Sequence, residues 1–191
     1  MSPSPFVVEW AAEVARALDA AGARGTASER RRLLDVAMGR GRHTALLAHA
    51  GFRAFGVDVN LDALREAAVR ATEAGVTIHP WCADLTQHPL PAAWFDVVVV
   101  TRYLQRDLFP ALQRAVRPGG YVLYETFTTA QRALGVGPTS PDHLLEPGEL
   151  RARFDGPGWK SRFYEETTEP EAVARLVAIK SAAQNRRSAA L

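Results

Sequence analysis

The chain has one cysteine, Cys82, so no intrachain disulfide can form, and a reducing cytoplasm is compatible with it. Lysine is almost missing: Lys160 and Lys180 are the only two among 23 basic residues. The pI near 9.0 is therefore an arginine effect on a formal net charge of only +2. The densest clusters, Arg30-Arg31-Arg32 and Arg186-Arg187, do not interleave with aromatics, so they read as a solvated strand entrance and a tail. No nucleic-acid partner is expected. No apolar run approaches the ~20 residues a membrane span needs, and no basic region precedes the first apolar residues, which Glu9 interrupts. Neither a membrane segment nor a signal peptide is expected, and the expected location is the cytoplasm. No His/Cys/carboxylate spacing suggests a metal site, and there is no internal repeat. The 191 residues, 47% hydrophobic and 23% charged, suit one globular domain with a sizeable core.

What is present is a pattern. Leu33-Leu34-Asp35-Val36-Ala37 is an apolar run through a carboxylate, Met38-Gly39-Arg40-Gly41 a glycine turn, and Thr44 to Ala50 an Ala/Leu-rich helix. A second apolar run, Phe55-Gly56-Val57, ends in Asp58. Strand, tight turn, helix and strand, with an acid closing the second strand, is how a chain holds an adenosine-containing molecule: the carboxylate takes the ribose hydroxyls. A dinucleotide site wants G-x-G-x-x-G, but counting from Gly39 the third position is Thr44. That disfavours an NAD-dependent oxidoreductase, as does a chain too short for the usual second domain.

Read as D-x-G-x-G-x-G, the segment Asp35 to Gly41 matches everywhere but Ala37 and resembles motif I of the class I S-adenosylmethionine-dependent methyltransferases. Three further places agree in order and spacing: Trp81-Cys82-Ala83-Asp84-Leu85, Trp94-Phe95-Asp96 leading into Val97 to Thr101, and Arg117-Pro118-Gly119-Gly120 leading into Tyr121-Val122-Leu123. A narrower likeness, to a small bacterial branch related to the tellurite-resistance-type methyltransferases, rests on Gly39 to His43, Tyr103 to Arg106, Tyr124 to Phe127 and Glu146 to Leu150. The resemblance implies S-adenosylmethionine as cofactor, S-adenosylhomocysteine as product, and one doubly wound Rossmann-like α/β domain over 1–191. Its seven-stranded, mostly parallel sheet would have the order 3-2-1-4-5-7-6, with the last strand antiparallel.

The pattern along the chain predicts a leading helix within 1–22, with Ser4 as N-cap, Pro5 at the first helical position and Gly22 as its stop. Residues 23–29 read as a loop. Strands are predicted over 32–37, 53–58, 76–81, 94–101 and 120–126, and helices over 42–50, 61–73 and 107–116, an alternation that implies a parallel sheet covered on both faces. The glycines and prolines of 127–146 suggest a mobile cover for a site. A helix over 147–154 and a hairpin of 159–167 and 171–180 complete the expectation.

For the cofactor, Gly39 and Gly41 let the backbone approach, and the following helix points free amides at the methionine carboxylate. Arg40 or Arg42 pairs with that carboxylate or is an exposed helix-start residue. Ala37 stands where the family usually has glycine and is comfortable only at negative φ. Asp58 is a ribose ligand or a helix cap, a role Asn60 can fill. The resemblance gives Asp84 to the adenine amino group and the Leu85 amide to the adenine ring, while Asp35 would meet the ammonium end. Val59, next to Asp58, and Thr101, closing the fourth strand, complete the expected cofactor contacts.

A small-molecule acceptor is expected, because Thr101-Arg102-Tyr103-Leu104 lacks the Asn/Asp-Pro-Pro-Tyr of enzymes acting on base or glutamine amines. Tyr103 and Glu125 are the candidate catalytic residues, with Arg102, Arg106 and His143 as further acceptor-pocket candidates. The competing reading makes Tyr103 an aromatic wall and pairs Glu125 with an arginine; for His143 the favoured reading is an exposed loop histidine. Trp10 is expected in the core or closing the cleft, Cys82 as a small core residue beside the adenine, and His79 and His88 as structural. A binding module without turnover is the alternative function.

Overall fold

The computed structural model describes residues 2–21 and 31–182. The expected helix stop at Gly22, the loop 23–29, Arg30 and the Arg186-Arg187 pair lie outside those residues. A seven-stranded sheet forms the centre: β1 (Arg32–Val36), β2 (Arg53–Asp58), β3 (Ile78–Cys82), β4 (Phe95–Thr101), β5 (Val116–Phe127), β6 (Trp159–Glu166) and β7 (Val173–Lys180). Their spatial order is β3-β2-β1-β4-β5-β7-β6. The first five pair in parallel, and β7 runs antiparallel to both β5 and β6. This is the order the resemblance implied.

The helices are α1 (Pro5–Ala20), α2 (Arg42–His49), α3 (Leu61–Glu73), α4 (Phe109–Ala115) and α5 (Glu149–Phe154). Side chains alternate across a strand, so the run Val97 to Val100 feeds two cores. Val97 and Val99 join Leu33, Leu47, Leu123 and the apolar stripe of α1 (Phe6, Val7, Val14, Leu18) on one face. Val98 and Val100 join Leu34, Val36, Leu112, Tyr124 and Phe154 on the other. All seven residues of β4 are buried, as a strand covered on both faces must be. Each Leu or Phe removed from water contributes ~1.5–3 kcal/mol, so the double layer is the main source of stability. Among the described residues no helix is long and apolar enough to cross a membrane.

Several local expectations are corrected. Ser4 occupies the N-cap position of α1, but its side chain caps nothing; its amide instead donates to His43 Nε2 at 2.9 Å. Trp10 packs against Phe163 of β6, with ring centroids 5.3 Å apart, and lines none of the cavities described below. The strand expected from 120 begins at Val116, because a register shift between Phe95 and Val97 lets Val116 pair with Phe95 across the Pro-Gly-Gly turn. Gly120 is obligatory there: a Cβ would sit 2.7 Å from the Asp96 carbonyl oxygen. The helix expected from 107 starts as a 3-10 turn (Arg106–Leu108), and α4 begins at Phe109, just ahead of Pro110 in its first turn. Cys82 is exposed rather than buried, since it ends edge strand β3 pointing away from the core that Trp81 packs against.

The segment 127–146 is folded and tied down. Two 3-10 turns (Thr129–Leu134 and Pro141–His143) are joined to the body by fully buried Leu144 and Leu145. The Thr129 amide donates to the Leu145 carbonyl and the Leu145 amide to the Phe127 carbonyl, each at 2.9 Å. Buried Gln131 accepts from the Ala172 amide at 2.7 Å. Arg106 donates to both Glu149 oxygens at 2.8 Å and to the Leu144 carbonyl at 2.8 Å, so it staples the cover rather than facing a substrate.

Candidate active site

The carboxyl ends of β1, β2 and β4 converge with the turns that follow them. After β1 the chain turns through Ala37 at φ 54°, Gly39 at φ 53° and Gly41 at φ 72°. Ala37 thus adopts the left-handed conformation that the sequence reading held to be uncomfortable for it. Met38 explains why the turn is held: its amide donates to the Val57 carbonyl at 3.0 Å, and its thioether lies where a Cβ on Gly56 would be, 2.0 Å from Sδ. Gly41 has no room for a side chain either, since a Cβ would come within 2.9 Å of Ala67 on α3.

Asp58 closes β2 and clamps this turn. Its Oδ2 accepts from the Gly39 amide and its Oδ1 from the Asn60 amide, both at 2.8 Å. Each oxygen keeps a second lone pair, so a ribose diol fits over a carboxylate already oriented by backbone. Asn60 takes the helix-cap role, accepting from the Ala63 amide at 3.0 Å. Asp84 is organised in the same way: Oδ1 accepts from the Thr86 amide at 2.9 Å and hydroxyl at 2.7 Å, and Oδ2 from Gln87 at 3.0 Å. The Thr86 bonds hold its carboxyl below the usual range, so it stays an acceptor. Asp58, Val59, Asp84, Leu85 and Tyr103 line one cavity of about 270 Å³ together with Ala37.

Ala37 also borders a second cavity of about 390 Å³ beyond the turn, with Gly39, His43, Thr101 and four arginines, Arg40, Arg42, Arg70 and Arg102. Arg40 pairs with Glu66 at 2.6 Å, whereas Arg42 meets only the Ser2 carbonyl at 3.4 Å among the described residues. Beneath the turn lies Asp35, 1% exposed. Its Oδ2 accepts from Thr44 Oγ1 at 2.6 Å, while Oδ1 is buried without a partner. Burial pushes its carboxyl up to about 7, against the pull of Thr44 and Arg42.

Tyr103 is a shared wall. Besides the first cavity it lines a third, of about 330 Å³, with Arg102, Leu104, Phe127, Pro138 and His143. The backbone there is fixed by the Tyr124 hydroxyl, which donates to the Tyr103 carbonyl at 3.0 Å. Glu125 is not brought into that cavity. It is 2% exposed, accepts from Arg175 Nε at 2.7 Å, and borders a different cavity with Arg42, Arg102, Glu171 and the segment Ser2–Pro5. Arg102, at φ 54°, makes a two-pronged pair with Glu171 and lies over the Phe127 ring at 4.8 Å. His79 stacks on Phe55 and His88 bonds the Asp84 carbonyl, outside all of these cavities.

Sequence reasoning missed His43. It is 2% exposed, bonded on both ring nitrogens, and pushed down to about 4 by burial, with Arg42 and Arg102 adding to the effect. Only its place after the glycine turn pointed to it. Among the described residues no group of three or more His, Cys, Asp or Glu is placed to hold a metal ion.

Two cavities meeting at Ala37, one with acidic acceptors and one with arginines, suit a ligand with an adenosine end and an amino acid end. Residues 33–120 match the family model described as a methyltransferase domain. That stretch, just under half of the chain, resembles a methyltransferase domain. The chain is 26% identical over 169 residues to the ubiquinone biosynthesis O-methyltransferase of Bordetella avium, which covers 78% of this chain and 66% of that protein. Two other matched relatives bear the same name, and across the three the chain spans 50 to 66% of their length. Among solved structures, the S-adenosylmethionine-dependent methyltransferase of Mesorhizobium loti superposes with a TM-score of 0.63 at 19% identity, covering 77% of this chain and 89% of that one. The [4+2]-cyclase SpnF does so with a TM-score of 0.65 at 16% identity, covering 95% and 98%. At such identities these likenesses concern the fold.

The residues around these two cavities fit S-adenosylmethionine. Asp58 and Asp84 keep free acceptor positions, Arg42 is a cation without a carboxylate partner among the described residues, and Asp35 Oδ1 is a buried acceptor without a donor.

Proposed function

We propose that the protein transfers the methyl group of S-adenosylmethionine to an oxygen of a small molecule seated between Tyr103, Phe127 and His143. The observation that carries this reading is that Tyr103 walls both the Asp58–Asp84 cavity and the neighbouring aromatic one. Donor and acceptor would thus meet across a single side chain. The oxygen specificity is drawn from the curated relatives, which are O-methyltransferases by name.

The bound cofactor would supply a methyl group on a positive sulfur, which leaves with the C–S bonding pair as the acceptor's lone pair takes the carbon. The chain's own residues hold and align. Asp58 and Asp84 hold the adenosine end, Arg42 and Thr101 the carboxylate end, and Asp35 the ammonium. Alignment of this kind can lower a bimolecular barrier by ~7–11 kcal/mol. Burial raises the Tyr103 phenol above its ordinary value, so it remains a hydrogen-bond donor and a wall rather than a base. His143, in the same cavity, is the group placed to take a proton from an acceptor hydroxyl. Glu125 serves the ion pair with Arg175.

The test is release of S-adenosylhomocysteine against a panel of phenols, catechols, amines and thiols. Turnover with hydroxyl acceptors, slowed in Tyr103→Phe and His143→Ala at near-normal cofactor affinity, is expected. Cofactor binding with no turnover, or turnover on amines or thiols alone, would overturn the reading. Binding alone does not decide, because the same fold serves a cyclase.

A further inference from the structure

His43 is buried, was given no role of its own by the sequence, and is not consumed by the reading above. Its two ring nitrogens have different obligations. Nε2 lies 2.9 Å from the Ser4 main-chain nitrogen, and an amide N–H can only donate. Nε2 is therefore the acceptor, and in the neutral ring the single proton sits on Nδ1. Nδ1 lies 3.1 Å from Thr101 Oγ1, so the ring donates to the threonine hydroxyl. The hydroxyl proton of Thr101 must then point elsewhere, and among the described residues no side-chain or main-chain acceptor takes it. Thr101 lines the arginine cavity at the end of β4.

We propose that His43 is a positioning residue: held between the Ser4 amide and the Thr101 hydroxyl, it fixes Thr101 Oγ1 as a hydrogen-bond donor into the arginine cavity, aimed at the carboxylate of the bound cofactor.

The charges around that cavity agree. Arg40 and Arg70 share Glu66, and Arg102 is matched by Glu171, which leaves Arg42 as the cation without a carboxylate partner among the described residues. One surplus cation and one oriented hydroxyl on the same wall match a single carboxylate. A hydroxyl that accepts from an imidazole N–H is also polarised into a stronger donor. Burial keeps the ring neutral at physiological pH, so the arrangement does not switch there. The Ser4 amide sets the polarity of the whole chain of bonds. Without it, the ring proton can move to Nε2, and the Thr101 hydroxyl would turn back to donate to Nδ1.

The inference rests on the cofactor reading above, and its test separates the two. Ser4→Pro removes the amide proton and sets a ring carbon against Nε2, so it breaks this bond and displaces the imidazole, at a residue whose φ of −64° and ψ of 131° proline accepts and whose Oγ has no partner. Calorimetric affinities for S-adenosylhomocysteine and for 5′-methylthioadenosine, which lacks the amino acid end, are compared in the wild type, Ser4→Pro, Thr101→Val, Thr101→Ser and His43→Leu. Imidazole ¹⁵N spectra of the unliganded protein report the ring proton. The wild type should carry it on Nδ1. Thr101→Val, His43→Leu and Ser4→Pro should each weaken S-adenosylhomocysteine roughly 10- to 100-fold, as expected for a bond to a charged group, while methylthioadenosine changes by less than threefold. Thr101→Ser should keep both affinities. A wild-type ring proton on Nε2, unchanged S-adenosylhomocysteine affinity, or equal losses for both ligands would overturn the proposal. If the wild type binds neither ligand, the cofactor reading fails and the carboxylate role falls with it, whatever the ring proton shows.

Discussion

Ala37 carries the clearest local cost in the site. A non-glycine residue at φ 54° pays ~1–2 kcal/mol, and here the Met38–Val57 bond and the Asp58 clamp on Gly39 enforce it. Ala37→Gly should raise stability by about 1 kcal/mol in chemical denaturation, net of the extra entropy glycine gives the unfolded chain. A loss of stability would mean that the left-handed turn is not what the folded protein adopts. Asp58→Ala should weaken S-adenosylmethionine by roughly 30- to 1000-fold, the loss of two charge-assisted bonds, and should also lower stability modestly because it releases the Gly39 and Asn60 amides. Near-normal affinity in the folded variant, measured by calorimetry, would remove Asp58 from the ribose. The positions of Asp58 at the end of β2 and of Asp84 just past β3 were legible because an acid at a strand end is a local pattern. His43 was not, because its partners are 39 and 58 residues away, and its place after the glycine turn does not reveal that its ring is held between them. Glu125 and Tyr103 were both placed near strand ends correctly, yet strand-end position does not say which cavity a side chain faces.

The strands and helices of the first 110 residues follow their apolar periodicity to within a few residues. The departures have local causes: Pro110 delays α4, and in β5 the Pro-Gly-Gly turn is absorbed into the strand by the shift opposite Phe95. The cover was harder to read, since its glycines and prolines mark turns but not anchors. What ties it is Leu144, Leu145 and Gln131 inside the fold, with Arg106 outside. Arg106→Ala should therefore destabilise the protein by ~1–3 kcal/mol and increase proteolysis within 132–142, while cofactor affinity stays within a few fold. Unchanged protease resistance would show that the buried leucines suffice to hold the cover.

Two buried titratable groups beside the site oppose each other across the whole molecule's pH profile. Asp35, pushed from 3.8 to about 7, keeps a proton that the unfolded chain has released, so its contribution to stability falls as pH rises between those values. His43, pushed from 6.5 to about 4, refuses a proton that the unfolded chain takes up, so its contribution falls as pH drops through that window. Between about pH 4 and 6.5 the two slopes have opposite signs. Denaturant titrations should find stability rising with pH more steeply in Asp35→Asn than in the wild type, and falling with pH in His43→Gln relative to it. Identical profiles in all three proteins would show that neither group is perturbed by burial.

All of the site chemistry depends on the two cavities that meet at Ala37 holding one adenosine-bearing amino acid. Calorimetric titration of the purified protein with S-adenosylmethionine and S-adenosylhomocysteine, beside NAD, measures this directly. Both sulfur compounds should bind with one site per chain and, at ~100-fold excess over the dissociation constant, stabilise the fold by ~2.7 kcal/mol, with NAD giving no comparable heat or shift. Binding of NAD as tight as or tighter than S-adenosylmethionine, or no binding of either sulfur compound, would contradict it.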